Sequence, residues 1–311
     1  MKKEHKTYPS ASGRCSIHSV IWYPDPEKYE KPVAILQIAH GMIDYAERFE
    51  TMAEYMTDQG YLVVANDHLG HGESVATNED WGYFTKKDAS RVVVEDMHRL
   101  TVIMKKKYPE LPYFLLGHSM GSFMTRRYMT EYGDELDAVA VFATGNQPKP
   151  MVLAGLLVTN LMGLFCGQRH RSKLLDQLMF GAYNKRIKDA RTDKDWLSTD
   201  PETVDEYRND PKCSYIFTVN GNHTVLKTLT YLGKKKNIKK IPKDLPIYFA
   251  CGDEDPVGNY SVGVKKLYER YRDYGLSAEF MCYEGMRHEL HNEIDKETVF
   301  ADLCDWLDRY R

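Results

Sequence analysis

Short apolar runs alternate with helix-length amphipathic stretches along most of this chain. VAILQIAHG (33–41), YLVVAND (61–67), YFLLG (113–117) and AVAVFATG (138–145) end in glycine or polar turn residues. Each reads as a buried strand. Between them, residues 47–59 predict a helix ending near Gly60, and SRVVVEDMHRLTVIMKKKY (90–108) a long helix stopped by Pro109. Lys105, Lys106 and Lys107 in its last turn complement the helix dipole. One more helix precedes residue 138, and CSIHSVIWYPD (15–25) reads as one member of an isolated, antiparallel strand pair near the start. This rhythm predicts a mostly parallel α/β sheet covered on both faces.

The rhythm fails after Gly145. Residues 146–241 offer helical segments and few strands. PIYFACGDEDPV (246–257) restores the pattern, followed by a helix at 261–274, the strand AEFMCYEG (278–285) and a closing helix over 292–310. The expectation is an α/β core formed by 1–145 and 242–311, interrupted by a helical cap at 146–241. Such an insertion sits over the carboxyl ends of the strands, where open α/β sheets bind ligands.

Composition excludes several classes. Hydrophobic residues make up 42% of the chain and charged ones 28%, near globular averages. A net charge of −3 lacks the basic excess of a nucleic-acid binder. Six cysteines at 15, 166, 213, 251, 282 and 304 form no CxxC pair, which suits reduced thiols rather than a disulfide framework or a zinc site. The polar MKKEHKTYPSASGR has no apolar signal-peptide core. The longest apolar stretch, Met151 to Gly167, is shorter than the roughly 20 residues of a membrane span. These features predict a soluble, cytoplasmic protein.

The candidate chemistry begins at LLGHSMGS (115–122), a Gly-x-Ser-x-Gly motif with an apolar strand before it and helical residues after it. That setting is what a nucleophile elbow requires, because the serine must stand exposed on a strained turn. Serine needs a base to take its proton and a carboxylate to orient that base. In this topology the acid comes next along the chain and the histidine last. Of 11 histidines, only His170, His223, His288 and His291 follow the elbow, and the first two fall within the cap. His288, in the loop after a strand, is the expected base; His291, three residues on, reads as a surface or capping residue. Asp253, Glu254 and Asp255 share the turn after PIYFAC, and Pro256 restricts Asp255 to an extended conformation, which makes Asp255 the expected acid. Oxyanion donors are expected from the backbone N–H of Met120, next to the nucleophile, and of Met42, after the strand ending IAHG.

Four separated blocks carry a resemblance: HGMIDYAERF (40–49), NDHLGHGES (66–74), GHSMGS (117–122), and GDEDPVG with YEGMRHELHNE (252–258 and 283–293). STDPETVDEYRNDP (198–211) adds a cap segment. The chain resembles the α/β-hydrolase superfamily, and within it the monoacylglycerol lipase and lysophospholipase-like serine hydrolases. The resemblance implies an α/β-hydrolase fold with an eight-stranded sheet and a helical cap, and no cofactor. It assigns Ser119 as nucleophile, Asp255 as acid, His288 as base, and Met42 and Met120 as oxyanion donors. It departs at Ser122, where many relatives carry a third glycine. His68 and His71 beside Asp67 are metal-ligand residue types, but in this family that block is a structural loop, so no metal is assigned.

The expected activity is carboxylic ester hydrolysis through an acyl-enzyme, with a lipid-like monoester as substrate. The apolar Met151–Phe165 stretch either lines an acyl pocket, makes transient contact with a membrane surface, or is an ordinary cap helix. GKKKNIKK (233–240) either touches anionic headgroups or is a solvated loop. The same triad serves short-chain esters and amides, and a silent fold used as a binding module is the rival from another class.

Overall fold

Strands such as Ile35–Ala39 and Leu62–Asn66 are buried at every position, as a sheet covered on both faces demands. A computed structural model describes residues 1–311. In chain order the strands and α-helices are β1 (Lys2–Pro9), β2 (Ser16–Tyr23), β3 (Ile35–Ala39), α1 (Glu50–Asp58), β4 (Leu62–Asn66), α2 (Ala89–Lys107), β5 (Tyr113–His118), α3 (Met120–Tyr132) and β6 (Ala138–Phe142). Then come α4 (Lys149–Phe165), α5 (Lys173–Phe180), α6 (Pro201–Asn209), α7 (Val219–Leu232) and α8 (Lys235–Ile238). The chain closes with β7 (Ile247–Gly252), α9 (Val262–Asp273), β8 (Ala278–Tyr283) and α10 (Lys296–Leu307).

The eight strands form one sheet in the order β1-β2-β4-β3-β5-β6-β7-β8. β2 pairs antiparallel with both β1 and β4, and all other pairings are parallel. This is the α/β-hydrolase fold. Alternation along each strand feeds two cores: Ile247, Phe249 and Cys251 of β7 face one side, Tyr248 and Ala250 the other. Val93 and Met97 of α2, Met124 of α3 and Leu267 of α9 cover the first side. Met52 and Met56 of α1, with Val299 and Leu303 of α10, cover the second.

Two expectations need adjustment. The strand read over 138–145 stops at Phe142, because Ala143 turns away with φ 48° while its amide still bonds Ala250 O at 2.8 Å. The strand pair expected to stand alone does not: β2 also pairs antiparallel with β4 and so joins the main sheet. Its other partner, β1, is a largely exposed edge strand whose lysines discourage pairing with another chain.

Helices α4 to α8 fill the interval between β6 and β7. α4 buries only Val152 and Thr159, and leaves Leu164 and Phe165 76% and 80% exposed. No helix is long and apolar enough to cross a membrane.

Candidate active site

β5 delivers Ser119 at the centre of the sheet, and the backbone there is strained. Ser119 holds φ 52° and ψ −119°, a region that L-residues rarely occupy, between β5 and the first turn of α3. The flanking glycines are required by close approach. A Cβ on Gly121 would lie 2.0 Å from Ala39 O, and one on Gly117 2.3 Å from Thr125 Oγ1. The elbow therefore presses against the end of β3. Ser122, the departure from the family pattern, sits with Oγ 2.5 Å from Ser119 O and 2.8 Å from Thr144 Oγ1. Its hydroxyl fills the space behind the turn with a polar contact.

The turns after β7 and β8 bring the other two candidates to the same place. Gly252 allows this, since a Cβ there would meet Met286 O at 2.0 Å and Arg287 O at 2.5 Å. With the two turns in contact, His288 Nδ1 lies 3.0 Å from Asp255 Oδ1, and His288 Nε2 lies 2.8 Å from Ser119 Oγ. Asp255 is fully buried, and its Oδ1 also accepts the Val257 N–H at 2.8 Å. Asp253 instead accepts the Gly285 N–H at 2.8 Å, bracing the β8 turn, and Glu254 is exposed. Neither contacts His288. Of the three carboxylates, only Asp255 is placed beside the His288 ring.

The loop after β3 runs alongside the elbow. A Cβ on Gly41 would stand 3.3 Å from Ser119 Cβ. The amides of Met42 and Met120 donate to no carbonyl of the protein, so both are free to bind a developing oxyanion.

An ion network missed in the sequence fixes this loop. Gly41 N–H donates to Asp44 Oδ2 at 3.1 Å, and Arg48 Nη1 reaches Asp44 Oδ1 at 3.1 Å. The same guanidinium grips Glu289, next to His288, through Nη1 at 2.8 Å and Nη2 at 2.7 Å. Burial opposes ionisation of Glu289, but Arg48 overrides it and holds the carboxyl well below the usual range. Burial wins at Asp44, whose pKa is raised against the pull of Arg48. One arginine thus ties the loop after β3 to the loop that carries His288. All three residues sit inside the family blocks, and the signal was their charge beside buried strand ends. Arg48→Met is expected to cost about 3–5 kcal/mol in urea unfolding, because it strands a buried Glu289. Arg48→Met/Glu289→Leu should recover much of that loss; equal losses in the two proteins would refute the pairing.

The segment 195–200, between β6 and β7 in the chain, is pinned to the loop that carries His288. Glu289 N–H donates to Leu197 O at 2.7 Å, and Arg287 Nη1 to Asp195 O and Ser198 O at 2.7 and 2.8 Å. Buried Glu293 accepts from the amide and hydroxyl of Thr199. The Trp196 ring lies 5.0 Å from His288, centroid to centroid, forming a wall over the candidate base.

His291 needs correction. It is buried, not a surface or capping residue, with its ring stacked 4.0 Å from Phe49 and edge-on to His118. His68 and His71 pack around His40, at 4.2 and 5.3 Å between ring centroids, in the loop beside the site. Asp67 accepts the amides of Ala46 and Glu73, both at 2.8 Å, and faces His18 Nδ1 at 2.9 Å. These contacts brace the loops around β4.

Comparison with known proteins agrees with this architecture. The model of the family described as serine aminopeptidase, S33 (Hydrolase_4) matches residues 30–295. A monoacylglycerol lipase from Mycolicibacterium smegmatis is 29% identical over 92% of this chain and 91% of its own length. Phospholipase YtpA from Bacillus subtilis is 25% identical over 91% of this chain and 98% of its own. The solved structure of a thermostable carboxyl esterase from Bacillus coagulans, in complex with glycerol, superposes with a TM-score of 0.91 at 27% identity, covering 100% of this chain and 99% of that one.

Proposed function

Because the chain belongs to the serine aminopeptidase S33 (Hydrolase_4) family of α/β-hydrolases, we propose that it cleaves monoacylglycerols or lysophospholipids through a Ser119 acyl-enzyme. It is a serine hydrolase of carboxylic esters, as its lipase and esterase relatives indicate. The observation that carries the reading of the site is the Ser119–His288–Asp255 line, with contacts of 2.8 and 3.0 Å. His288 Nε2 takes the Ser119 proton as Oγ attacks the ester carbonyl, and Asp255 stabilises the imidazolium that forms. The amides of Met42 and Met120 hold the oxyanion. His288 then protonates the leaving alcohol. A water enters, His288 removes its proton, and the acyl-enzyme is hydrolysed.

Two observations favour a lipid acyl group: the lipase and phospholipase relatives, and the exposed apolar surface of α4. Free cysteines throughout the chain favour a cytoplasmic setting. Likeness to the Bacillus coagulans esterase supports a second reading, short-chain ester hydrolysis. A p-nitrophenyl ester series from acetate to palmitate separates the two. Each methylene buried in an acyl pocket is worth about 0.8 kcal/mol, so kcat/KM should climb steeply to chains of eight or more carbons. A maximum at acetate would select the short-ester reading instead. Turnover of an alanine p-nitroanilide faster than of any ester would refute both.

A further inference from the structure

Away from Ser119, a cleft of about 510 Å³ opens between α7 and the start of α2. Arg127 on its wall lies about 12 Å of helix rise along α3 from Ser119, so the cleft is not the ester site. Its volume suits a small molecule.

Its charge is one-sided. Lys86, Arg127, Lys227 and Lys234 line it against a single carboxylate, Asp88, which is exposed. Lys227 projects from α7, and Lys234 lines the cleft from the extended residue that follows Gly233, just past the end of that helix. Lys234 also begins the basic run 234–236, which extends the positive field past the rim. Like charges gathered around a concavity repel one another unless an anion occupies it.

The cleft is also built. Arg127 is buried and fixed, donating from Nη1 to Ser90 Oγ at 2.9 Å and from Nε to Glu131 Oε1 at 2.9 Å, with its plane over the Tyr231 ring. Its Nη2 donates to no group of the protein. Asn220 accepts the Phe84 N–H at 3.0 Å and donates to Thr85 O at 2.9 Å, which holds the loop before α2 against α7. α2, 19 residues long, starts beside this pair with no side-chain cap: Asp88 takes a left-handed φ of 42°, and the amides of Ala89 and Ser90 bond no carbonyl. The positive end of a long helix therefore opens into a cationic cleft.

We propose that this cleft binds a phosphate-bearing small molecule, its phosphate held between the first amides of α2, Arg127 Nη2 and the ammonium of Lys227. The remaining volume takes the organic part along α7. His223 connects the cleft to the cap helix above, since its Nδ1 lies 3.0 Å from Thr159 Oγ1 of α4. The proposal does not depend on the reading of the ester site.

Calorimetric titration of the full chain with glycerol 3-phosphate and with pyrophosphate tests it, at constant ionic strength held with chloride. Saturable binding is expected, accompanied by a rise in Tm that chloride alone does not give. Lys227→Gln/Lys234→Gln alters two exposed side chains and should weaken binding by about tenfold or more. Ser119→Ala should bind as wild type does, which separates this proposal from the catalytic one. Phosphatidic acid vesicles supply the same phosphate on a lipid. Sedimentation with those vesicles but no binding of either soluble probe would identify the source as a headgroup, provided the double variant stays in the supernatant. No binding of any probe, or equal binding by the double variant, would overturn the site.

Discussion

Ser119→Ala is expected to lower kcat/KM toward the preferred ester by about 10⁵- to 10⁶-fold, with circular dichroism unchanged. The residual rate would come from the free amides of Met42 and Met120 and from substrate binding. Because nucleophile and base act as a unit, Ser119→Ala/His288→Ala should be no slower than either single variant. The backbone adds an independent readout. Alanine keeps the Cβ and therefore the strain of φ 52°, whereas Ser119→Gly releases it. Strain of this kind is worth about 1–3 kcal/mol, part of which glycine loses to the flexibility of the unfolded chain. Ser119→Gly should therefore be inactive yet more stable than Ser119→Ala by about 1 kcal/mol in urea unfolding. An alanine variant retaining a hundredth of wild-type activity would rule out Ser119 as the nucleophile.

Much of this site was legible because its members sit next to strand ends. The elbow showed itself through Gly117 and Gly121, whose lack of a Cβ is required by contact with Thr125 of α3 and with the end of β3 respectively. Asp255 was distinguished from Asp253 and Glu254 only by Pro256, and it is the one of the three that lies 3.0 Å from His288. What depended on distant partners was not legible. Arg48 and Glu289 meet 241 positions apart, and nothing local to either announces the other. His291 looked like a polar residue at a helix start, but it is buried by stacking on Phe49. β1 escaped notice because seven of its eight positions face solvent wholly or in part, leaving only Tyr8 to mark an apolar face. A strand at a sheet edge takes its conformation from its neighbour, here β2, more than from its own pattern.

The buried histidines should make the fold acid-labile well above the range where carboxylates titrate. Burial pushes His68 down to about 4 and His71 and His291 to about 3, and it drives His40 and His118 well below the ordinary 6.5 in the same way. In the unfolded chain all five recover a pKa near 6.5. Below that pH the unfolded state binds protons that the native state refuses, so stability is full above about pH 6.5 and falls as pH drops. At pH 5, His68, His71 and His291 each cost about 2 kcal/mol by this linkage, and His40 and His118 add to the loss. Asp96, raised to about 6 mainly by burial, works in the opposite direction: its native state takes up a proton first and returns about 1 kcal/mol at pH 5. Asp44, also raised by burial, acts likewise. The histidines outnumber them, and the sum rivals the whole stability of an ordinary domain, about 5–15 kcal/mol. Urea unfolding followed by circular dichroism should show little change from pH 8 to 7 and a steep loss from pH 6.5 to 5. The slope there should approach several protons' worth, at about 1.4 kcal/mol per pH unit for each. His291→Phe, which can keep the stack on Phe49, should remove one proton from that slope. A flat profile down to pH 5 would mean that these rings titrate in the native state, and that the packing around His40 and Phe49 is open to water.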